Sequence, residues 1–169
     1  MALVKNAAQG VRVQLLSGAR YRDATIAAIR SSVLRCWCSL FIIDLTTSFG
    51  MPLTVDPVIE ELERAVRRRV DVRLVIGGSR TSLEIAELAD AARAFCRSHE
   101  VPCRWLTSKD VRGSHAKIVI ADALSIVGSH NWSPGAFGGE QVQDSLLIRS
   151  GVLSVQLSGL FMQQWNRAS

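Results

Sequence analysis

The sequence predicts an α/β fold in which helices cover both faces of a mixed, largely parallel sheet. Short apolar runs rich in β-branched residues alternate with longer segments whose apolar residues recur every three or four positions. The chain has 169 residues, of which 48% are hydrophobic, so it is long enough to bury a core. It contains no internal repeat and no linker rich in proline or serine. We therefore expect residues 1–169 to form a single domain.

The first half of the chain alternates strands with helices. Residues up to the turn signal Ser17-Gly18 alternate between polar and apolar, which is typical of a strand. Asp56 as N-cap and Pro57 at the first helical position predict the start of a helix. The strands expected in this half are 11–16, 36–45 and 72–76, and the expected helices are 25–34 and 56–70.

The second half is expected to add four strands and two helices. Ser82 and Ser150 each precede a segment with helical spacing and are therefore predicted N-caps. Trp165 belongs to the apolar stripe of the last helix, so we interpret it as a core residue. Residues 132–139 are expected to form a loop or one helical turn. The predicted helices are 82–98 and the segment after Ser150, and the predicted strands are 101–106, 118–121, 124–127 and 142–149.

The charge and cysteine content limit the functional classes only weakly. The net charge of +5 favours an anionic partner such as nucleic acid or an anionic membrane surface, although solubility explains it as well. Three late arginines, 67–69, complement the dipole of the predicted helix 56–70 and need no ligand. Four cysteines without zinc-ligand spacing predict buried reduced thiols rather than disulfides.

The sequence indicates no secretory signal and no membrane span. The first ten residues lack a charged segment followed by an apolar one, and the longest apolar-rich run, 33–45, is interrupted by Arg35 and Asp44. We therefore expect a cytoplasmic protein, and leave open whether an upstream segment has been removed.

The most informative stretch begins at His115 and ends at Ser133. On a strand, side chains two positions apart share a face, so His115 and Lys117 should project together. An imidazole, a fixed cation and two neutral polar groups suit a phosphate group, because one can attack, one neutralises charge and two orient oxygens. The pattern is H-x-K-x4-D followed by G-S-x-N, and its fixed positions are His115, Lys117, Asp122, Gly128, Ser129 and Asn131.

This pattern resembles the HKD signature of the phospholipase D superfamily, which includes lipases, nucleases and phosphatidyl transferases. Every fixed position is filled, and the following Trp132-Ser133 is also typical. The resemblance implies a two-step phosphodiester exchange through a phosphohistidine, without a metal or other cofactor. His115 and Lys117 would be catalytic, and Gly128, Ser129 and Asn131 would bind phosphate. Asp122 is carried over with the catalytic set, although its place at a strand end or turn favours a role in holding local structure.

The family chemistry needs two histidines, and this chain has a single HKD pattern. Neither His99 nor His130 is followed by lysine two positions later. The simplest solution is a homodimer with two His115 side chains in one site, since a two-fold interface brings the same surface together twice. Single-HKD relatives are similar in size and assemble in this way. A fragment of a longer two-HKD protein and an inactive monomer remain as alternatives.

One position departs from the family pattern. Relatives often carry a downstream glutamate that bonds the far nitrogen of the histidine and fixes its tautomer. Gln143 occupies that place here, with Glu140 and Asp144 as nearby substitutes. A neutral partner would orient the imidazole but support its cation less well.

Three functions remain compatible with the sequence. Small size, positive charge and a single HKD pattern favour an endonuclease over a phospholipid hydrolase or phosphatidyl transferase. The apolar loop 49–53 could face a lipid surface, but a dimer contact or core edge is the preferred interpretation. A catalytically weak nucleic-acid-binding module is the third possibility. The arginines and lysine expected in a positive groove are Arg73, Arg80, Arg104, Lys109 and Arg112.

Overall fold

The computed structural model describes residues 11–45, 54–79, 81–106 and 114–169. Its strands are β1 (Arg12–Ser17), β2 (Arg35–Leu40), β3 (Asp71–Ile76), β4 (Cys103–Trp105), β5 (Lys117–Ala121), β6 (Leu124–Gly128) and β7 (Asp144–Arg149). Its helices are α1 (Ala19–Ser31), α2 (Asp56–Arg67), α3 (Leu83–Ser98), α4 (Pro134–Gly138) and α5 (Gly151–Arg167). The predicted loop 49–53 and the cations Arg80, Lys109 and Arg112 lie outside the described residues.

The sheet is mixed but mostly antiparallel, so the expectation of a largely parallel sheet was wrong. The strand order is β1-β7-β6-β5-β2-β3-β4. Only the pairs β2–β3 and β3–β4 are parallel; the other neighbours are antiparallel. The reason lies in the connections, because a parallel pair needs a crossover of a dozen or more residues. Strands β5 and β6 are joined only by Asp122 and Ala123, which allows nothing but a hairpin.

Helices lie on both faces of the sheet. Helices α1 to α4 contribute to the larger core cluster, which contains Tyr21, Leu62, Cys96 and Phe137. Helix α5 packs on the opposite face, where Phe161 meets Ile120 and other strand residues. Trp165 packs against this second cluster, as expected for a core residue.

The predicted helix boundaries were right at two N-termini and shifted at two others. The hydroxyls of Ser82 and Ser150 each accept a hydrogen bond from the backbone N–H three residues later, which confirms both as N-caps. Helix α2 already includes Asp56, so Val55 takes the N-cap position. Helix α1 begins at Ala19, directly after a turn at Gly18 with φ of 49°. Its first turn is polar apart from the buried Tyr21, which is why helical spacing alone placed the start too late.

The arginines at the end of α2 have structural partners. Arg68 donates to a carboxylate oxygen of Glu61 at 3.4 Å and to the carbonyl of Ile29 at 3.0 Å. Arg67 pairs with Glu63 one helical turn earlier. These contacts confirm the helix-stabilising interpretation of that charge run.

All four cysteines are free thiols; Cys36, Cys38 and Cys96 are buried and Cys103 is half-buried. Across the described residues, no helix combines the length and apolar character needed to cross a bilayer.

Candidate active site

His115 and Lys117 form a compact pair at the start of β5. The Lys117 ammonium nitrogen lies 2.8 Å from His115 Nδ1 and donates to the His115 carbonyl oxygen at 3.0 Å. Phe41 supports both groups, with its ring centroid 4.4 Å from that of His115 and 5.0 Å from Lys117 Nζ. The imidazole is exposed, whereas the lysine is only 7% exposed. The pair therefore presents a reachable imidazole backed by a sheltered cation.

The electrostatics of this pair favour a neutral imidazole. Desolvation lowers the pKa of Lys117 from its ordinary value. Partial burial, together with the nearby ammonium charge, lowers the pKa of His115. No carboxylate forms an ion pair with Lys117 in the part of the chain that the structure describes. A sheltered cation without a counter-charge is a favourable place for an anion.

Strand pairing and a glycine fix the position of the pair. Lys117 is in register with Leu40 at the end of β2, which places it beside Phe41. A Cβ atom on Gly77 would lie 2.3 Å from the carbonyl oxygen of Ser114, so only glycine lets the chain pass so close just before His115. Gly77 directly follows β3. Its contact with Ser114 could not be found from the sequence because it joins distant segments.

The topology brings the second half of the motif to the same end of the sheet. Strand β6 runs antiparallel to β5, so Gly128 at its end lies near the start of β5. Gly128 pairs with Ser145, and a Cβ on it would lie 2.4 Å from the Asp144 carbonyl oxygen. The Ser129 hydroxyl donates to that same carbonyl at 3.1 Å and accepts from the Asp144 N–H at 3.0 Å. Gly128 and Ser129 are therefore engaged with the start of β7.

Asn131 and Gln143 are linked to each other rather than to His115. The Gln143 side-chain oxygen accepts a hydrogen bond from the Asn131 backbone N–H at 3.2 Å, and its amide nitrogen donates to Gln141. The Asn131 side-chain oxygen is buried and has no hydrogen-bond partner among the described residues. Within the same part of the chain, no hydrogen bond joins Gln143, Glu140 or Asp144 to the His115 ring.

Residues on either side of Asn131 anchor this loop. His130 is fully buried, stacks on Tyr21 with ring centroids 4.1 Å apart and makes a 2.8 Å hydrogen bond between Nδ1 and the Ser145 hydroxyl. Trp132 is also fully buried, and its indole N–H donates to the Tyr21 hydroxyl at 3.1 Å. Its backbone bridges to Ile43 beyond the end of β2. The loop that carries Asn131 is thereby tied to three neighbouring segments.

Asp122 lies at the other end of β5 from His115. It occupies the hairpin between β5 and β6 with φ of 52°. Its carboxylate accepts hydrogen bonds from the backbone N–H groups of Val33, Leu34 and Arg35 at 2.8, 3.0 and 2.9 Å. Burial raises the pKa of Asp122, but these backbone bonds and the Arg35 charge outweigh burial and lower it. Five strand residues, at about 3.3 Å each, separate this carboxylate from the His115 end.

The described arginines of the predicted groove have internal partners. Arg73 forms an ion pair with Asp71 at 3.0 Å and lies over the Trp37 ring. Arg104 donates to the Trp165 carbonyl oxygen at 3.0 Å, and its guanidinium carbon lies 4.5 Å from the centroid of the Trp165 ring. These two cations stabilise the α5 face of the sheet.

A cavity of about 420 Å³ adjoins His115 on the α5 side. Its lining includes Arg167 and Gln163, which the sequence analysis did not single out. Nothing in the sequence pointed to them, because a cation such as Arg167 is ordinary at a helix C-terminus and a glutamine such as Gln163 is ordinary on an exposed helix face. Only the packing of α5 across the sheet brings them beside the motif. Over the described residues, no group of three or more histidine, cysteine or acidic side chains could hold a metal ion.

Comparison with known families classifies the chain. A family model described as the phospholipase D-like domain of cardiolipin synthase matches residues 25–165. The chain belongs to this phospholipase D-like family. The matched region contains the whole HKD pattern and most of α5. No curated protein sequence matches significantly.

Solved structures share the phospholipase D-like fold at low sequence identity. Nuc from Salmonella typhimurium, described as a phospholipase D family member, is 20% identical, with a TM-score of 0.71 over 94% of this chain and 95% of Nuc. NucT from Helicobacter pylori is 13% identical, with a TM-score of 0.67 over 94% of this chain and 98% of NucT. Phosphatidylserine synthase from Haemophilus influenzae Rd KW20 is 13% identical, with a TM-score of 0.68; the match covers 94% of this chain and 39% of the synthase.

Proposed function

We propose that the protein is a metal-independent phosphodiesterase that works through a phosphohistidine and acts as an endonuclease. The observation that carries the proposal is the His115–Lys117 pair: an exposed imidazole beside a cation that is 7% exposed, 2.8 Å away. A phosphodiester brings the negative charge that the ammonium lacks. A neutral imidazole is also the protonation state that a nucleophile requires.

The reaction proceeds in two balanced steps. A ring nitrogen of His115 attacks phosphorus, a P–N bond forms and the P–O bond to the leaving group breaks. The leaving oxygen takes a proton from the imidazolium of a second histidine. Water then attacks phosphorus and gives its proton back to that second ring, while the P–N bond breaks. Lys117 neutralises the nonbridging oxygens as a compact cation throughout.

The second histidine is His115 of another copy of the chain. The exposure of the imidazole supports this arrangement, because a ring sealed in the interior could not meet its twin. Nuc and NucT, which match over nearly their whole lengths, are chains of comparable extent. A homodimer with one shared site is the assembly that suits a single HKD pattern.

The remaining motif residues divide into binding and supporting groups. Asn131 would donate from its side-chain amide nitrogen to a phosphate oxygen, as its place in the motif implies, whereas its buried, unpaired side-chain oxygen is an acceptor and cannot bond phosphate. Gly128 and Ser129 shape the loop through their contacts with β7, and Ser129 reaches phosphate only by exchanging its bond to Asp144. Asp122 holds the β5–β6 hairpin to the start of β2 rather than taking part in the chemistry. Gln143 orients Asn131 rather than His115.

Phosphatidyl transfer is the second candidate function. The description of the matching family model and the similar fold of a phosphatidylserine synthase favour it. Nucleic acid remains the preferred substrate because the chain carries a net charge of +5 and spans only 39% of that synthase.

The test replaces His115 by alanine and measures cleavage of single-stranded DNA, RNA and bis(p-nitrophenyl) phosphate in the presence of EDTA. We expect cleavage by the wild-type protein and a loss of at least about 1,000-fold in the variant, because no nucleophile remains. His99→Gln is the matched control, since His99 lies at the C-terminal end of helix α3 and outside the HKD pattern, and it should retain full activity.

Unchanged turnover in His115→Ala would refute the assignment of the nucleophile. Loss of wild-type activity on chelation would refute the metal-independent mechanism. Cleavage of phosphatidylcholine vesicles alongside intact DNA and RNA would replace the nuclease by the second candidate.

A further inference from the structure

The cavity beside His115 has an apolar floor and a polar rim. We call its apolar lining, formed by Leu106, Ile118 and the half-exposed Leu160, the floor, and its polar lining, formed by Gln163, Gln164 and Arg167, the rim. At about 420 Å³ the cavity falls within the range of small-ligand sites, about 300–1,000 Å³. His115, the proposed nucleophile, is part of its lining, so a group bound in the cavity lies next to the reacting phosphate.

Arg167 is an uncommitted cation at this rim. Its side chain is exposed and, within the described ranges, forms no ion pair or hydrogen bond. Arg73 and Arg104, on the same face of the sheet, are both engaged with neighbouring side chains or backbone. The helix dipole accounts for a cation in the last turn of α5, but it does not account for a cation beside His115.

The backbone around Arg167 is held firmly in place. Ala168 is only 9% exposed, and Ser169 exchanges two backbone hydrogen bonds with Trp105 of β4, at 2.7 and 3.1 Å. One helical turn earlier, the Gln164 side-chain oxygen accepts a hydrogen bond from Ser39. These contacts leave the side-chain amide nitrogens of Gln163 and Gln164 and the Arg167 guanidinium as donors at the rim.

We propose that this cavity is a subsite for the nucleotide next to the scissile phosphate, with Arg167 binding the neighbouring phosphate. The inference rests on the nuclease function proposed above and names a part of its substrate. The base lies on the apolar floor with its polar edge toward the glutamines, and a guanidinium binds a phosphate through paired N–H groups. An acyl chain would fill the floor but make no use of the polar side chains at the rim, whereas a nucleotide has a base edge and a phosphate to bond them.

The test compares substrates with one and two phosphates. The wild-type protein should cleave a trinucleoside diphosphate with a kcat/KM about tenfold above that of a dinucleoside monophosphate, because one more charge-assisted phosphate contact forms. Arg167→Gln should abolish this preference through KM while leaving kcat on bis(p-nitrophenyl) phosphate unchanged. It should also lower the slope of log KM against log salt concentration by about 1 for an oligonucleotide.

Arg149→Gln is the matched control, because Arg149 is exposed and lies at the end of β7 away from His115. Leu160→Ser should weaken binding of the trinucleotide but not of the same compound with an abasic residue at the flanking position. If the wild-type protein cleaves oligonucleotides and Arg167→Gln behaves like Arg149→Gln, the subsite is refuted and the nuclease function stands. If the wild-type protein cleaves only phospholipid, both are refuted.

Discussion

Partial burial and the neighbouring Lys117 together lower the pKa of His115, the residue that we propose as the nucleophile. Burial is the larger cause, and the ammonium, 2.8 Å from His115 Nδ1, acts in the same direction. A pKa below the ordinary value of about 6.5 leaves the ring neutral at pH 7. In a two-histidine site one ring must nevertheless keep a proton for the leaving oxygen. Activity should therefore decrease as pH rises above the lowered pKa.

Replacing Lys117 by methionine should raise the pKa of His115 toward its ordinary value, because the nearby positive charge is removed. The measurement is an NMR titration of the His115 ring. In the wild-type protein, kcat/KM should decrease as pH rises, because the proton donor is lost. The decrease should begin at a pH lower than the ordinary histidine pKa of about 6.5.

Lys117→Arg retains a charge at the same position and is the control for that titration. It should keep the pKa of His115 low. An unchanged His115 pKa in Lys117→Met would show that burial alone sets the protonation.

At the scale of single residues, the sequence was sufficient to find the motif but not its supports. His115 and Lys117 are two positions apart on one strand start, so local spacing alone predicted that they project together. Phe41, Gly77 and Arg167 reach the same place through strand pairing and helix packing between distant segments. Such contacts leave no periodic signal in a single sequence.

At the scale of elements, Asp122 shows how one motif residue stabilises a junction. Its carboxylate bonds three consecutive backbone N–H groups between α1 and β2, while its own backbone makes the β5–β6 turn. The hydrogen bonds join β5, which directly follows His115, to the neighbouring strand β2. We expect loss of this side chain to affect folding rather than turnover.

Asp122→Ala should reduce the free energy of unfolding by about 2 kcal/mol, because three charge-assisted bonds are lost and alanine is strained at positive φ. Asp122→Asn should lose less, since asparagine keeps an acceptor and tolerates that backbone conformation. Urea denaturation measures both, and the folded fraction of each variant should retain its kcat.

The stability that the Asp122 carboxylate provides depends on pH in a fixed direction. Its pKa is lowered on folding, so the contribution is present above the unfolded pKa of about 3.9 and disappears as pH falls through the folded value. The wild-type and Asp122→Asn proteins should therefore converge in stability under strongly acidic conditions. A large fall in kcat for the folded Asp122→Asn protein would instead support a catalytic role.

The errors in predicting the elements have a common physical cause. Strands and helices were placed correctly where apolar periodicity was strong, and Ser82 and Ser150 were recognised as caps from local chemistry. Strand direction was misjudged because the alternation of strands and helices in the first half was extended to the second. The two-residue link between β5 and β6 dictates antiparallel pairing, whereas the longer β6–β7 connection, which includes α4, allows either direction and gave no signal in the sequence.

At the scale of the whole molecule, a shared site makes activity depend on the composition of the dimer. If each site needs two intact His115 rings, a dimer with one wild-type and one His115→Ala chain is inactive. After mixing equal amounts with full subunit exchange, wild-type dimers should make up about one quarter of all dimers, so the activity should be about one quarter of that of wild-type protein at the same total concentration.

The measurement is the rate of diester cleavage as His115→Ala is titrated into a fixed total protein concentration, alongside the mass in solution. A fall with the square of the wild-type fraction supports the shared site. A linear fall, or a monomeric mass with full activity, would contradict it. Mixing with His99→Gln, which leaves the site intact, should not change the rate.

Gly77 has a consequence for how this protein could change over evolution or in the laboratory. The space between the end of β3 and the Ser114 carbonyl does not accommodate even a methyl group. Any larger residue at 77 must displace the segment that delivers the imidazole, without touching a reacting atom. Progressively larger residues at position 77 would shift the position of His115, the proposed nucleophile, without changing its chemical identity. The effect of its position on turnover could then be measured separately.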